Sequence, residues 1–143
     1  MGYALRVMKE AMRLYPPAFV MARSALRDTS IGGFQVRKDE VVLIAPWLLH
    51  RDPRLFDDPL RFDPDRFLPE REAALPRFAY LPFGGGKRIC IGNQFALMEG
   101  QIILSTIAAH VSMELVSKNP IGLQPFITLR PKGGVNVSIR RLN

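Results

Sequence analysis

Hydrophobic residues near the start of the chain recur three or four positions apart. They are Ala4, Val7, Ala11 and Leu14. This spacing places their side chains on one face of a helix. Pro16 and Pro17 follow this segment, and the residue before a proline is disfavoured in helical conformation. The pattern therefore predicts a helix over residues 3–14.

A second apolar run, residues 95–111, has the length and composition of a helix and is hydrophobic on nearly all sides. Helices of this kind are buried, whereas surface helices carry an apolar stripe on one side only. The run predicts a buried helix over about residues 93–111. Such a helix would give the loop before it a rigid support.

Shorter patterns between and after these helices predict strands. Residues 18–45 contain short apolar segments with Gly32 and Gly33 as a turn, and residues 41–45 form a buried run. In the tail, residues 126–142, apolar side chains alternate after a proline and glycine turn at 131–134. This alternation predicts a terminal β-hairpin.

Residues 51–77 carry prolines at positions 53, 59, 64, 69 and 76. Proline lacks a backbone donor and interrupts helices and sheets, so this segment is predicted to be irregular but packed. With two main helices, short antiparallel strands and hairpins, and this irregular segment, the predicted fold class is α+β.

Composition limits the function classes. The 20 lysines and arginines outweigh 13 acidic residues and give a net charge of +7, but the excess is spread along the chain. No recognised nucleic-acid module or basic stripe with interleaved aromatics occurs, so nucleic acid is not an expected partner. The sequence contains no run of 18 or more apolar residues, so no membrane span is predicted. The single unpaired cysteine fits a reducing compartment and predicts a cytoplasmic protein.

That cysteine, Cys90, lies in residues 83–92, the segment that offers the strongest candidate for a reactive or ligating side chain. Three consecutive glycines and the cations Lys87 and Arg88 precede it, and the second predicted helix begins just after it. Positive charge and a helix N-terminus both favour the thiolate form of cysteine. The ordinary alternative is a small buried hydrophobic side chain.

Other motifs fail on spacing. A P-loop would need glycine and a hydroxyl where Leu81 and Arg88 stand. A zinc site would have to combine Cys90 with His50 and His110, and paired ligand spacing is missing. A covalently attached c-type haem requires a second cysteine.

The pattern Phe-x-x-Gly-x-Arg-x-Cys-x-Gly, filled by Phe83, Gly86, Arg88, Cys90 and Gly92, resembles the haem-thiolate signature of the cytochrome P-450 family. Two further family motifs are found in the expected order. Glu10 and Arg13 match Glu-x-x-Arg, and residues 62–67 are similar to Phe-x-Pro-Glu-Arg-Phe. The run at residues 50–53 and the turn at 31–33 also look like the family. The resemblance covers about residues 3–142.

The resemblance implies that residues 1–143 are the C-terminal, haem-ligating part of a larger, mainly α domain. Cys90 would be the axial ligand to the iron of haem b. The resemblance implies these cofactor contacts: Arg23, Phe83, Gly84, Arg88, Cys90, Gly92 and Ala96. For Arg88, which lies inside the signature, and for Arg23 the expected role is a hydrogen-bonded clamp on a haem propionate. For Arg23 the alternative is an exposed arginine on a strand.

The resemblance also implies a buried network of Glu10, Arg13 and Arg66 beneath the cysteine loop. An ordinary surface ion pair between Glu10 and Arg13 is the alternative, and burial would distinguish the two. The residues that match substrate-pocket positions of the family are Ala18, Val20, Phe126 and Ile127. Plain core packing is the alternative for these four. No catalytic side chain is assigned within the chain.

The activity implied for the intact fold is insertion of one oxygen atom from O2 into a small organic substrate. The implied electron donor is an acidic flavin or iron–sulfur protein, steered by Lys87 and neighbouring cations on the cysteine side. Two alternatives belong to other classes. The chain as it stands could be a truncated, non-catalytic polypeptide, or a haem-binding or electron-transfer module without oxygenase activity.

Overall fold

The computed structural model describes residues 2–142. Within this range the chain forms four α-helices and eight short strands. In chain order they are α1 (Tyr3–Leu14), β1 (Met21–Ser24), β2 (Thr29–Ile31), β3 (Phe34–Val36), β4 (Val41–Ile44), α2 (Pro46–Leu49), α3 (Pro69–Ala74), α4 (Asn93–His110), β5 (Val111–Leu115), β6 (Leu123–Pro125), β7 (Leu129–Pro131) and β8 (Val137–Arg141). This content confirms the predicted α+β class.

Helix α1 has the predicted bounds. It ends where Tyr15 N donates to Ala11 O at 2.7 Å, immediately before the buried Pro16. The face that α1 buries is largely polar, because Glu10 and Arg13 are fully buried beside Leu14. The ion pair of this face therefore lies inside the fold, where water cannot solvate it.

Each of the four sheets found within residues 2–142 consists of two antiparallel strands. Strand β1 pairs with β4, with Met21 opposite Ile44, and β2 pairs with β3 across the predicted glycine turn. Gly32 and Gly33 have φ angles of 56° and 87° in that turn. A side chain would strain the backbone in this left-handed region, which is why glycine suits both positions.

The predicted terminal hairpin is wrong in its pairing. Strand β8 pairs with β5, with Met113 opposite Ile139, whereas β7 pairs with β6. Alternating side chains reveal that a segment is a strand but carry no information on its partner. The pairing follows from the position of β5, which continues directly from the C-terminus of α4 and lies beside the returning chain.

The segment between α2 and the cysteine loop is irregular and packed, as predicted. It contains a 3-10 turn, Pro64–Phe67, and the short helix α3. Phe56, Phe67 and Ala79 from this segment join Leu14 of α1 as the buried hydrophobic residues of the fold. The core therefore lies between α1 and the irregular segment.

Helix α4 follows the cysteine loop as predicted, but the expectation that it is buried is wrong within residues 2–142. None of its residues is buried, and Phe95, Met98 and Ile102 are each more than half exposed. The all-round apolar composition of α4 fits a helix with neighbours on several sides. Here α1 packs on one side, where Gly100 meets Met8.

No helix of the described residues is long and apolar enough to span a membrane.

Candidate functional site

The cysteine loop, residues 83–92, closes on itself before α4 begins. Cys90 N donates to Phe83 O at 2.9 Å, which joins the two arms of the loop. Between these arms a 3-10 turn, Gly86–Arg88, reverses the chain, and Ile89 N donates to Gly86 O at 3.2 Å. The loop therefore holds its backbone shape through its own hydrogen bonds and presents the exposed thiol of Cys90 just before α4.

Two glycines of the loop occupy conformations that other residues rarely adopt. Gly84 and Gly86 have φ angles of 76° and 68°. A Cβ atom on Gly84 would also approach Met21 Sδ to 3.2 Å, which is tighter than an ordinary contact. Glycine at position 84 thus serves both the backbone angle and the close packing of strand β1 against the loop.

The donor set and the shape of the loop fit a haem group. Cys90 offers one thiolate donor, which is what iron held by a porphyrin needs from a protein on one face. Across residues 2–142 no group of three or more His, Cys, Asp or Glu side chains is placed to hold a metal ion. A Cβ atom on Gly92 would lie in van der Waals contact with Cys90 Sγ, at 3.9 Å, so glycine at this position leaves that side of the thiol uncovered.

Apolar surface flanks the thiol, as the binding of a flat apolar ring requires. Ile91, next to Cys90, is fully exposed, and Phe95 in the first turn of α4 is 63% exposed. Phe83 and Ala96 are half-buried, one before and one after the cysteine. These side chains present the apolar area that a ligand would cover.

The two arginines with predicted propionate roles are both exposed. Arg23 lies on β1, two residues after Met21, so their side chains share one face of the strand. Met21 packs at Gly84, and the carbonyl oxygen of Arg88 lies 3.8 Å from the Cβ position of the same glycine. Strand β1 and the Arg88 segment therefore meet at Gly84. The only hydrogen bond of the Arg23 side chain within residues 2–142 is to Ala22 O, at 2.8 Å.

Glu10, Arg13 and Arg66 come together in the interior. The Arg13 guanidinium forms two hydrogen bonds to the Glu10 carboxylate, from Nε at 2.7 Å and from Nη2 at 2.9 Å. Arg66 Nε lies 3.4 Å from Glu10 Oε1. Glu10 and Arg13 are fully buried and Arg66 is 8% exposed. Burial of this kind distinguishes the cluster from a surface ion pair.

The same cluster fastens the irregular segment to α1. Arg13 Nη1 donates to the carbonyls of His50 at 2.6 Å and Pro59 at 2.7 Å, and its Nη2 also donates to Arg61 O. Glu10 Oε1 accepts a hydrogen bond from Asp63 N at 2.8 Å. One ion pair thus satisfies backbone groups along residues 50–63, a stretch that has little regular structure of its own.

His50 is the residue of this region that sequence reasoning missed. The sequence indicates it only as a zinc ligand without paired spacing and as the first residue of the family-like run 50–53, yet its imidazole is fully buried and contacts two distant backbone groups. Burial, followed by the positive charges of Arg13 and Arg51, lowers the pKa of His50 to about 4. The imidazole is therefore neutral at pH 7. The polar surroundings come from residues remote in sequence, so local spacing carries no signal of them.

The four pocket candidates lie on two segments that the fold brings together. Leu129 N donates to Pro17 O at 3.0 Å, which places the turn between β6 and β7 beside the segment after α1. All four candidates are exposed, with Val20 at 39%, Phe126 at 68% and Ile127 at 88%. None contributes to the buried core of the described residues, so the core-packing alternative is not observed.

A cavity of about 610 Å³ lies elsewhere, between the turn after β5 and the pair of strands β6 and β7. Tyr15, Leu115, Ile121 and Leu129 are among the residues that line it. No residue of the cysteine loop takes part. The cavity is therefore distinct from the surface around Cys90.

The glycine loop with its exposed thiol, carried on this α+β fold, fits a piece of a haem-thiolate protein. The cytochrome P-450 family model matches residues 1–136. The chain therefore belongs to the cytochrome P-450 family, which confirms the resemblance found in the sequence.

Curated relatives agree with this assignment. The chain is 43% identical over 129 residues to cyclooctatin synthase from Streptomyces melanosporofaciens, an alignment that covers 90% of the chain and 28% of that protein. It is 41% identical over 138 residues to human cytochrome P-450 4V2, covering 96% of the chain and 26% of that protein. The chain thus spans less than a third of the length of these relatives.

Solved structures show the same relation. The haem domain of cytochrome P-450DA superimposes with a TM-score of 0.92 at 30% sequence identity, over 100% of this chain and 31% of that one. A cyanobacterial member of the family, solved with retinoic acid bound, superimposes with a TM-score of 0.90 at 33% identity and covers 98% of this chain. The described fold is a piece of the family fold.

Proposed function

We propose that residues 1–143 are the C-terminal, haem-ligating part of a haem-thiolate monooxygenase in which Cys90 is the axial ligand of haem b. The observation that carries this proposal is the exposed Cys90 thiol, held by a self-bonded glycine loop in a chain of this family. The proposed reaction inserts one oxygen atom from O2 into an organic substrate. Bound haem with a thiolate ligand supplies the cleavage of the O–O bond.

The loop residues have separate proposed roles. Phe83 shields the Cys90 sulfur, and loop N–H groups orient it and tune its electron density through hydrogen bonds. Gly84, Gly92 and Ala96 present little bulk, so the flat ring can approach the backbone. The missing Cβ at Gly92, which would lie in contact with Cys90 Sγ at 3.9 Å, supports this role.

Arg23 and Arg88 are the proposed partners of the haem propionates. A guanidinium can bind a carboxylate through two parallel hydrogen bonds. Both side chains are exposed, and the segments that carry them meet at Gly84. This arrangement supports a cationic edge beside the cysteine loop.

The Glu10, Arg13 and Arg66 network is proposed to hold the irregular segment in place beneath the cysteine loop. Its hydrogen bonds to the backbone of residues 50–63 support this role. Loss of the Glu10 carboxylate would leave two buried guanidinium groups without their counterion. Haem incorporation by the intact protein would then fail, because the loop would lose its support.

Separate groups of residues are proposed to contact the substrate and the redox partner. Ala18, Val20, Phe126 and Ile127 are proposed to contact a small organic substrate through their exposed apolar side chains. Lys87, exposed on the loop, and neighbouring cations are proposed to attract an acidic flavin or iron–sulfur donor by complementary charge. A cytoplasmic location is proposed because a ligating thiol has to stay reduced.

A second candidate function is supported by the exposure of α4. None of the residues of that helix is buried within residues 2–142, which supports a polypeptide without catalysis of its own. A third candidate is a haem-binding or electron-transfer module without oxygenase chemistry. The three differ in what the chain does with haem and O2.

The deciding experiment is the carbon monoxide difference spectrum of the chain after addition of haem and reduction. We expect the strongly red-shifted Soret band of a thiolate-ligated haem. Cys90→His is the matched variant, since it keeps a ligand for iron while removing the thiolate. It should retain bound haem and lose the red-shifted band. A wild-type chain that binds haem without that band, or a Cys90→His variant with it, would contradict the assignment of Cys90. A wild-type chain that binds no haem would support the second candidate function.

A further inference from the structure

His50 follows the short helix α2 and lies between two segments that are distant in sequence. Its Nε2 accepts a hydrogen bond from Leu81 N at 2.8 Å, and its Nδ1 lies 3.2 Å from Arg13 O. A backbone N–H can only donate, so Nε2 must carry no proton. The tautomer assigned by this network has the proton on Nδ1, which donates to Arg13 O.

Arg13 is hydrogen-bonded to both the imidazole and the carbonyl of His50. The His50 imidazole donates to the Arg13 carbonyl, and the Arg13 guanidinium donates from Nη1 to the His50 carbonyl at 2.6 Å. Because Arg13 is itself fixed by Glu10, the ring has its position set by the buried ion pair. A neutral imidazole suits this place, since Arg13 and Arg51 would repel an added proton.

Leu81 is the point at which the irregular segment becomes the cysteine loop. Its carbonyl accepts a hydrogen bond from Gly84 N at 3.2 Å, and Phe83 O then accepts from Cys90 N at 2.9 Å. A series of backbone contacts therefore leads from the His50 ring to the amide of Cys90. The lengths are those of ordinary hydrogen bonds.

We propose that His50 is a positioning residue for the Cys90 loop, whose imidazole joins the buried Glu10–Arg13 pair to the Leu81 amide at the base of the loop. The inference deepens the proposed function, because the loop it positions is the one assigned to haem ligation. The alternative role is packing alone, since the His50 ring also contacts the rings of Tyr80, at 5.3 Å between centroids, and Phe56.

Three variants separate hydrogen bonding from packing. In His50→Gln the terminal amide reaches the level of Nε2 and offers an acceptor to Leu81 N. In His50→Asn the shorter amide reaches the level of Nδ1 and keeps only the donor to Arg13 O. In His50→Phe the ring volume remains and both hydrogen bonds are lost. A packing role would rank Phe above Gln, whereas a positioning role ranks Gln above both others.

The first readout is hydrogen exchange of individual amides in the full chain without haem. We expect His50→Asn and His50→Phe to speed exchange at Leu81 by about tenfold, as loss of one hydrogen bond implies. Gly84 and Cys90 should also exchange faster, while Tyr15 N at the end of α1 keeps its protection. His50→Gln should stay close to wild type at all four amides.

The second readout is the carbon monoxide difference spectrum, where His50→Gln should keep the red-shifted Soret band and His50→Asn should weaken it. Wild-type protection of Leu81 in the Asn and Phe variants would overturn the proposal. Equal loss of amide protection in all three variants, whether at Leu81 alone or across the chain, would also overturn the proposal. Since exchange is measured without haem, a failure at Leu81 is distinguishable from a failure of Cys90 to bind haem.

Discussion

At the scale of single residues, the strongest feature of the chain is the buried cluster around Glu10. One carboxylate faces two guanidinium groups, so the cluster retains a net positive charge inside the fold. Buried charges are tolerated only when they are paired and hydrogen-bonded. The backbone carbonyls that Arg13 binds and the amide that Glu10 binds supply further partners for these two side chains. Arg66 Nε makes no hydrogen bond within residues 2–142 and depends on the charge of Glu10 alone.

Glu10→Gln and Glu72→Gln form a matched pair of carboxylate removals. Glu72 pairs with Lys9 at 2.6 Å near the surface, whereas Glu10 is fully buried. We expect Glu10→Gln to lower the free energy of unfolding by about 3–5 kcal/mol, since it leaves buried cations unpaired. Glu72→Gln should cost about 0–1 kcal/mol. Urea unfolding measures both, and equal costs would contradict a buried network.

His50 gives the chain a pH dependence whose sign follows from its pKa. Burial lowers the pKa of His50 from 6.5 to about 4 in the folded chain. As the pH falls below 6.5, the unfolded chain binds a proton at His50 before the folded chain does. The contribution of His50 to the free energy of unfolding is therefore fully present above pH 6.5 and is lost as the pH falls toward 4. The expected loss is about 3 kcal/mol between pH 7 and pH 4.

The pH effect is checked by urea unfolding of wild type and His50→Gln at pH 7, 5.5 and 4. Carboxylates titrate in both proteins, so the difference between the two isolates the imidazole. We expect the variant to have the shallower pH dependence. Identical slopes would show that the His50 proton is not coupled to folding.

At the scale of secondary structure, the contact between α1 and α4 depends on a missing side chain. A Cβ atom at Gly100 would lie 2.5 Å from Met8 Sδ, well inside contact distance. Glycine within a helix is unfavourable by about 1 kcal/mol relative to alanine. Its presence in the middle of α4 is explained by the close approach of the Met8 side chain.

Gly100→Ala should therefore act differently in two backgrounds. With Met8 present, the added methyl group displaces the thioether and brings no gain in the free energy of unfolding. With Met8→Ala, the obstacle is gone and Gly100→Ala should stabilise the chain by about 1 kcal/mol through helix propensity. Thermal or urea unfolding of all four proteins gives the coupling energy, expected at about 1 kcal/mol as the difference between the two effects. A coupling of zero would place Met8 away from Gly100.

At the scale of the whole molecule, apolar surface is the dominant property of the described chain. Phe95, Met98 and Ile102 lie three and four positions apart on α4, so they form one exposed apolar stripe. Only four hydrophobic residues are buried within residues 2–142, namely Leu14, Phe56, Phe67 and Ala79. Exposed apolar area of this kind promotes association.

We expect the isolated chain to self-associate at micromolar concentration, as followed by sedimentation velocity. Ile102→Lys should shift the distribution toward monomer by interrupting the α4 stripe. Leu26→Lys is the control, because Leu26 is 91% exposed on a connecting turn outside the stripe. A wild-type chain that stays monomeric, or equal effects of the two substitutions, would argue against association through α4.

The sequence by itself determined the features that depend on neighbours along the chain. The bounds of α1 followed from apolar spacing and Pro16, and the family followed from the residues around Cys90. The contact between Glu10 and Arg13 was also accessible, since residues three apart share a helix face. In each case the information lies within one turn of helix or one loop.

Only the tertiary structure decided the remaining features, because they join segments that local spacing cannot relate. The pairing of β8 with β5, the His50 bridge from Arg13 to Leu81, and the exposure of α4 all belong to this group. An apolar helix pattern indicates which side chains favour burial. A single histidine in the sequence does not indicate which groups its ring will contact. Whether a neighbour covers the helix, and which backbone groups face the ring, is fixed only when distant segments pack.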